Sequence, residues 1–259
     1  MKCQAIITMP EIEVEIDGVV VSIVKGSGRE IFYVHSSGSD AEQWKYQLET
    51  VGGYAIDLPN HGKSDKAEIN SVDDYAYYVS EAIKQICGKA VIAGHSLGGA
   101  VAQKVYLNYP ETCMGLVLVG TGARLRVLPE ILENLKTKPE KAVELILDMA
   151  FYRKENEYRK IREKYLRNSD VLYLDLSVCD KFDLLNEYRE SRIKIDVPVL
   201  LVFGREDRLT PLKYGEFFRN HIPSSHLVVI DEASHMVMLE KPEEFNSALD
   251  SFLGKILSD

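Results

Sequence analysis

The chain has 259 residues, 46% of them hydrophobic and 27% charged, with a formal net charge of −9. That length suits one large domain, or a core with a small inserted one, and the composition is that of a globular protein able to bury a core. The acidic balance argues against a nucleic-acid partner, no apolar run is long enough to cross a bilayer, and no His or Cys spacing fits a metal site.

The N-terminus "MKCQAIITMPEIEVEID" turns acidic before a signal-peptide apolar region forms, and Cys3, Cys87, Cys113 and Cys179 are scattered without a C-x-x-C pair. A reduced, cytoplasmic setting is therefore expected. "EIEVEIDGVVVSIV" reads as two strands joined at Asp17-Gly18, a strong hairpin turn. A third strand follows at Arg29 to His35, and from there strand, loop and helix alternate. Tyr54 to Pro59 is strand-like, and Ser71 to Cys87 reads as a helix opened by a Ser71/Asp74 capping box. Ala90 to Ala93 is a short strand, followed by a helix beyond Ser96. Gly115–Gly120, Val197–Gly204 and His226–Asp231 are continuous apolar runs suited to strands buried on both faces of a parallel sheet. "PEEFNSALDSFLGKIL" closes the chain as a helix.

Residues 124–195 break this rhythm. Apolar residues there recur at helical spacing, as in Val143, Ile146, Leu147 and Ala150, and Pro129 and Pro139 sit where helices can begin. The expected organisation is an α/β core of residues 1–123 and 196–259 with a helical insertion between. Arg153 to Arg167 carries seven Lys or Arg with glutamates interleaved, and reads as the solvated face of a helix.

Chemistry centres on "GHSLGG". A Ser in G-x-S-x-G between strand and helix sits on a sharp turn that exposes its hydroxyl, and it needs a base and a group to orient that base. Groups beyond the carboxyl ends of parallel strands converge on one edge of a sheet. Past the run ending at Gly204 come Glu206 and Asp207; past the run ending at Asp231 comes His235. The acid and base are thus Asp207, with Glu206 as its rival, and His235. His35 and His61 are weaker candidates for a chemical role, His95 lies inside the elbow with its side chain directed away from the Ser96 hydroxyl, and His221 and His226 are expected to be exposed.

"GHSLGG", "FGREDRLTP", "SHMVMLEKPEEF" and "DLPNHGKSD", in this order with the last placed first, resemble the α/β-hydrolase superfamily in its branch of small esterase-like enzymes with a helical cap. The resemblance implies an α/β-hydrolase fold: a mostly parallel sheet with an antiparallel N-terminal hairpin, helices on both faces and a cap at 124–195. It implies Ser96 as nucleophile, Asp207 as acid and His235 as base, with no cofactor and no metal. The oxyanion donors map to the backbone N–H groups of Ser37 and Leu97. One departure stands out, because "HSSGSD" carries Ser36 where the family usually has Gly.

The expected activity is hydrolysis of small to medium, largely apolar acyl or aryl esters through an acyl-enzyme. Leu128, Met149 and Phe151 of the insertion, with Met236 beside the base, are expected pocket residues. C–C bond hydrolysis, lactone opening and a receptor of little turnover share the same side chains. The expected partner is a small-molecule ester, with no nucleic acid or membrane; the sequence leaves the oligomeric state open.

Overall fold

The computed structural model describes residues 9–257; Cys3 and the rest of the segment before Met9 lie outside them. Eight strands form one sheet in the order β1-β2-β4-β3-β5-β6-β7-β8. β1 (Glu11–Ile16) and β2 (Val19–Lys25) pair antiparallel, with Ile16 opposite Val19. Asp17 and Gly18 close the hairpin with φ of 49° and 79°, the left-handed pair that matches a two-residue turn to the twist of its strands. β2 also runs antiparallel to β4 (Tyr54–Ile56). The remaining neighbours, β3 (Ile31–Val34), β5 (Ala90–His95), β6 (Cys113–Val119), β7 (Val199–Gly204) and β8 (Ser225–Ile230), are parallel. This is the mostly parallel sheet with an antiparallel N-terminal hairpin that the sequence predicts.

Side-chain alternation divides the core between the two faces. Phe32, Val34, Leu201 and Phe203 pack with α2 (Val72–Ile86), α3 (Leu97–Asn108) and α9 (Lys213–His221). Ile31, Tyr33, Leu200 and Val202 pack on the other side with α1 (Lys45–Thr50), α10 (Val237–Glu240) and α11 (Pro242–Ile256). The Asp74 carboxylate accepts the Ser71 N–H at 2.8 Å, the expected cap of α2.

Between β6 and β7 there is no strand, only an isolated bridge from Arg124 to Asp183. Five helices fill the interval: α4 (Pro129–Thr137), α5 (Pro139–Ala150), α6 (Asn156–Arg167), α7 (Ser169–Lys181) and α8 (Leu185–Arg189). Pro129 and Pro139 each open a helix, where a missing N–H costs nothing. Val143, Ile146, Leu147 and Ala150 are all buried.

Most of the cationic stretch 153–167 is exposed, as expected for a solvated face. Lys164 is the exception. It is buried and reaches Asp40 at 2.6 Å and Glu42 at 3.0 Å, because its place on α6 turns it toward the core rather than toward water.

The chain leaves β3 toward β4 on one side and returns through α2 to β5 on the other. A crevice forms at such a switch in strand order, beyond the carboxyl ends of β3 and β5.

Candidate active site

Ser96 stands in that crevice between β5 and α3, with φ 53° and ψ −111°, a conformation costly for any side-chain-bearing residue. The neighbouring elements enforce it. Ser96 N–H donates to Val119 O at 3.0 Å, and the Thr121 hydroxyl donates to Ser96 O at 2.8 Å. The flanking glycines are required sterically: a Cβ on Gly94 would lie 2.0 Å from Gly98 O, and one on Gly98 would lie 2.2 Å from Val34 O.

Asp207 follows β7 and His235 follows β8, and the two loops are joined. Glu206 N–H donates to Ala233 O at 2.9 Å, and the Ser234 hydroxyl donates to Glu206 O at 3.1 Å. His235 Nδ1–H donates to Asp207 Oδ2 at 2.9 Å with both groups buried. The Leu209 and Thr210 N–H groups donate to Asp207 Oδ1 at 2.9 and 2.8 Å, and the Thr210 hydroxyl donates to Oδ2 at 2.7 Å. The carboxylate is thus held at both oxygens, and the imidazole tautomer is set with its proton on Nδ1. Nε2 of His235 has no partner among the described residues. Glu206, the rival acid, is exposed and makes no such contact.

The loop after β3 is built around Ser37. Ser36 N–H and its hydroxyl both donate to Gln43 Oε1, at 3.1 and 2.8 Å, and Ser36 does not take a positive φ. Serine in place of the usual glycine therefore costs no backbone strain here and gains a hydrogen bond. Gln43 Nε2 in turn donates to His95 Nδ1 at 2.8 Å, and His95 Nε2–H donates to His235 O at 3.0 Å. Burial, with the nearby His235 adding to it, holds His95 neutral well below the usual imidazole range. His35 Nε2 accepts from Leu58 N–H at 3.1 Å while Nδ1–H donates to Ser36 O at 2.8 Å. Burial pushes its pKa down to about 3, so it remains a neutral donor to that carbonyl. Because the peptide is trans, holding Ser36 O on one side directs Ser37 N–H to the other. Neither Ser37 N–H nor Leu97 N–H has an acceptor among the described residues.

A cavity of about 240 Å³ touches Ser96 and His235. Its walls are mainly Leu125, Val127, Leu128, Ile131, Ile146, Met149, Leu176, Leu209 and Tyr214, with Arg126 and Arg208 as charged members. Of the four expected pocket residues, Leu128 and Met149 line this cavity, and Phe151 and Met236 do not. Phe151 follows α5 and packs edge-on against Tyr158 at 5.6 Å, while Met236, at the start of α10, is buried in the core. Adjacency in sequence to α5 or to His235 does not set which way a side chain points.

Thr210, Gln43 and His95 are members of the site that sequence spacing does not single out. Among the described residues no cluster of His, Cys, Asp and Glu is arranged to hold a metal ion.

A family model described as the alpha/beta hydrolase family matches residues 31–248. The chain belongs to that family. Its relatives place this hydrolase among the carboxylic ester hydrolases. Pimeloyl-[acyl-carrier protein] methyl ester esterases of Nitrosomonas europaea and Neisseria meningitidis are 25% and 29% identical to it. Each alignment spans 87% of the hydrolase, and 96% and 93% of the two relatives. A solved thermophilic esterase is 64% identical with a TM-score of 0.95, over 96% of this chain and 98% of the other. An N-acyl homoserine lactone degrading enzyme is 25% identical with a TM-score of 0.82, over 93% and 99%.

Proposed function

We propose that this hydrolase cleaves carboxylic esters of small to medium, largely apolar acyl or aryl groups, with Ser96 as nucleophile, His235 as base and Asp207 as acid. The observation that carries the reading is the buried Asp207–His235 pair, with its Nε2 unengaged, at the same mainly apolar cavity as Ser96. In the first half-reaction His235 Nε2 takes the Ser96 proton as Oγ attacks the ester carbonyl. Asp207 stabilises the resulting imidazolium. Ser37 and Leu97 N–H groups receive the oxyanion, where loss of one donor typically costs about 3 kcal/mol of barrier. The imidazolium protonates the departing alkoxide, leaving an acyl-Ser96 and a neutral His235. Water then enters, gives its proton to His235, and the same steps release the acid.

Residues 124–195 act in this reading as the cap that closes the acyl pocket. Its Leu128 and Met149 lie on the cavity wall, and its α6 and α7 reach the oxyanion loop. A cytoplasmic setting is part of the proposal, supported by the free thiols of Cys87, Cys113 and Cys179. Among the described residues no helix is long and apolar enough to cross a membrane.

The test is steady-state hydrolysis of p-nitrophenyl esters from acetate to decanoate, by wild type and by Ser96→Ala. The expected result is multiple turnovers with an optimum at short to medium chains, all abolished in the variant. A single burst without turnover, or equal rates on highly charged and neutral esters, would overturn it. A γ- or δ-lactone series alongside tells whether ring opening outcompetes open-chain esters at the same serine.

A further inference from the structure

We infer that Asp175, on α7 of the helical insertion, is a positioning residue for the reaction, aiming the Ser37 amide by accepting the N–H of Gly38. This rests on the oxyanion role proposed above for Ser37. Asp175 is fully buried, and its Oδ2 lies 2.7 Å from Gly38 N. Ser36 N–H on the other side of Ser37 is held by Gln43. Of three successive amides, the outer two are therefore tied down, to an insertion helix and to the 3₁₀ turn Ala41–Trp44, and the middle one is left for a ligand. The same insertion touches the loop twice more: Cys179 Sγ lies 3.6 Å from the Ser37 hydroxyl, and the buried Tyr165 hydroxyl meets Ser36.

An apolar side chain at 175 would fill the space with less penalty than a carboxylate, since a buried charge needs both pairing and hydrogen bonds. Here both are provided. His61 faces acceptors at each nitrogen, Pro59 O at 2.9 Å and Asp175 Oδ2 at 2.8 Å, so the ring carries both protons and is an imidazolium. The Tyr75 hydroxyl donates to Asp175 Oδ1 at 2.6 Å. His35 stacks obliquely on His61 with ring centres 4.7 Å apart but is neutral. The carboxylate and the imidazolium cancel, so a tether is present next to the oxyanion position without net negative charge to oppose it. What the carboxylate supplies that a leucine cannot is an acceptor for Gly38 N–H.

The experiment compares wild type, Asp175→Ala and Asp175→Asn on p-nitrophenyl butyrate, with active sites counted by a fluorophosphonate. Affinity is measured for an alkyl boronic acid, which forms a tetrahedral adduct on Ser96, and for butyrate, which does not. Asp175→Ala should lower kcat per titrated site by about tenfold to a hundredfold, with KM within about twofold. Boronate affinity should fall in parallel while butyrate affinity holds. Asp175→Asn, which retains an oxygen acceptor, should recover most of the loss. A per-site kcat within about threefold of wild type, or boronate and butyrate affinities falling together, would overturn the role. If Asp175→Ala does not fold, Asp175→Glu displaces the acceptor with its charge kept, and an unchanged per-site kcat would overturn the inference equally. Ser96→Ala is run alongside: if it retains turnover, it is the reading of the active site that fails, whatever Asp175 does.

Discussion

The hydrolase buries two Asp–His pairs close to one loop, and they differ in what surrounds the imidazole. Asp207 and His235 are 2.9 Å apart; Asp175 and His61 are 2.8 Å apart; all four side chains are almost fully enclosed. His61 spends both nitrogens on acceptors, and its proton has nowhere to go. His235 spends one nitrogen on Asp207 and leaves the other toward the cavity that holds Ser96. A carboxylate–imidazole pair is therefore not a catalytic signature by itself. In the proposed mechanism, the vacant nitrogen and the neighbouring Ser96 hydroxyl are what set the first pair apart for chemistry.

The most direct way to break this comparison is to remove the Ser96 hydroxyl that, in the proposed mechanism, the first pair serves. Ser96→Ala should reduce kcat/KM on p-nitrophenyl butyrate by roughly 10⁴-fold or more, as should His235→Ala. His61→Gln should leave far more activity than His235→Ala, and equal losses would mean the two pairs share the chemistry. Within the first pair, Asp207→Asn should cost about 10³- to 10⁴-fold, because the amide no longer enforces the tautomer with Nε2 vacant. Thr210→Val, which removes only the hydroxyl donated to Oδ2, should cost about tenfold or less, since Asp207 retains two N–H donors and its imidazole. Single-turnover kinetics on folded protein checks both.

The first pair is legible in the sequence and the second is not, for a physical reason. Ser96, Asp207 and His235 each follow a β-branched apolar run, and parallel strands bring such positions to one edge. Asp175 sits on an amphipathic helix whose sequence reads like any other, and its partners lie 100 to 137 residues away on a loop, a helix and a turn. Nothing local marks it. The same limit explains Phe151 and Met236: their apolar character was evident, but the choice between pocket and core depends on how the insertion seats on the sheet. It explains Lys164 too, one cation of seven that turns inward. Gln43 and His95 are not marked in the sequence because their contacts to Ser36, to each other and to His235 are set only by the folded chain.

A smaller effect separates the histidines by pH. The His61 pKa is raised: burial opposes its charge, but the Asp175 carboxylate and the hydrogen bonds outweigh it, and Asp175 itself is lowered by the same contact against its burial. A raised folded pKa contributes stability that is complete below the unfolded value near 6.5 and is lost as pH rises through the folded value. His35, lowered to about 3 by burial, has the opposite sign, and its contribution is lost as pH falls from 6.5 toward 3. Urea midpoints measured from pH 3 to 10 should thus fall less steeply on the alkaline side for His61→Gln than for wild type. They should fall less steeply on the acid side for His35→Gln. Identical alkaline slopes would mean that His61 is neutral in the folded protein and that the two pairs differ less than their contacts indicate.

The smallest expected effect contrasts cations of one helix. Arg162 meets Glu144 at 3.2 Å with both side chains well exposed, and water and salt screen such a pair. Arg162→Gln should shift unfolding free energy by no more than about 0.5 kcal/mol. Lys164 is 9% exposed and holds Asp40, which precedes the turn carrying Gln43, and Glu42 within it. Lys164→Gln leaves Asp40 with one fewer donor in a partly enclosed place, and should cost about 1–2 kcal/mol, with the exposed Glu42 contact adding little. The cost should persist in 0.5 M NaCl, where the Arg162 effect vanishes. Equal, salt-sensitive losses for the two variants would show that Lys164 is one more surface charge, and that its ion pairs do not fix α6 to the loop after β3.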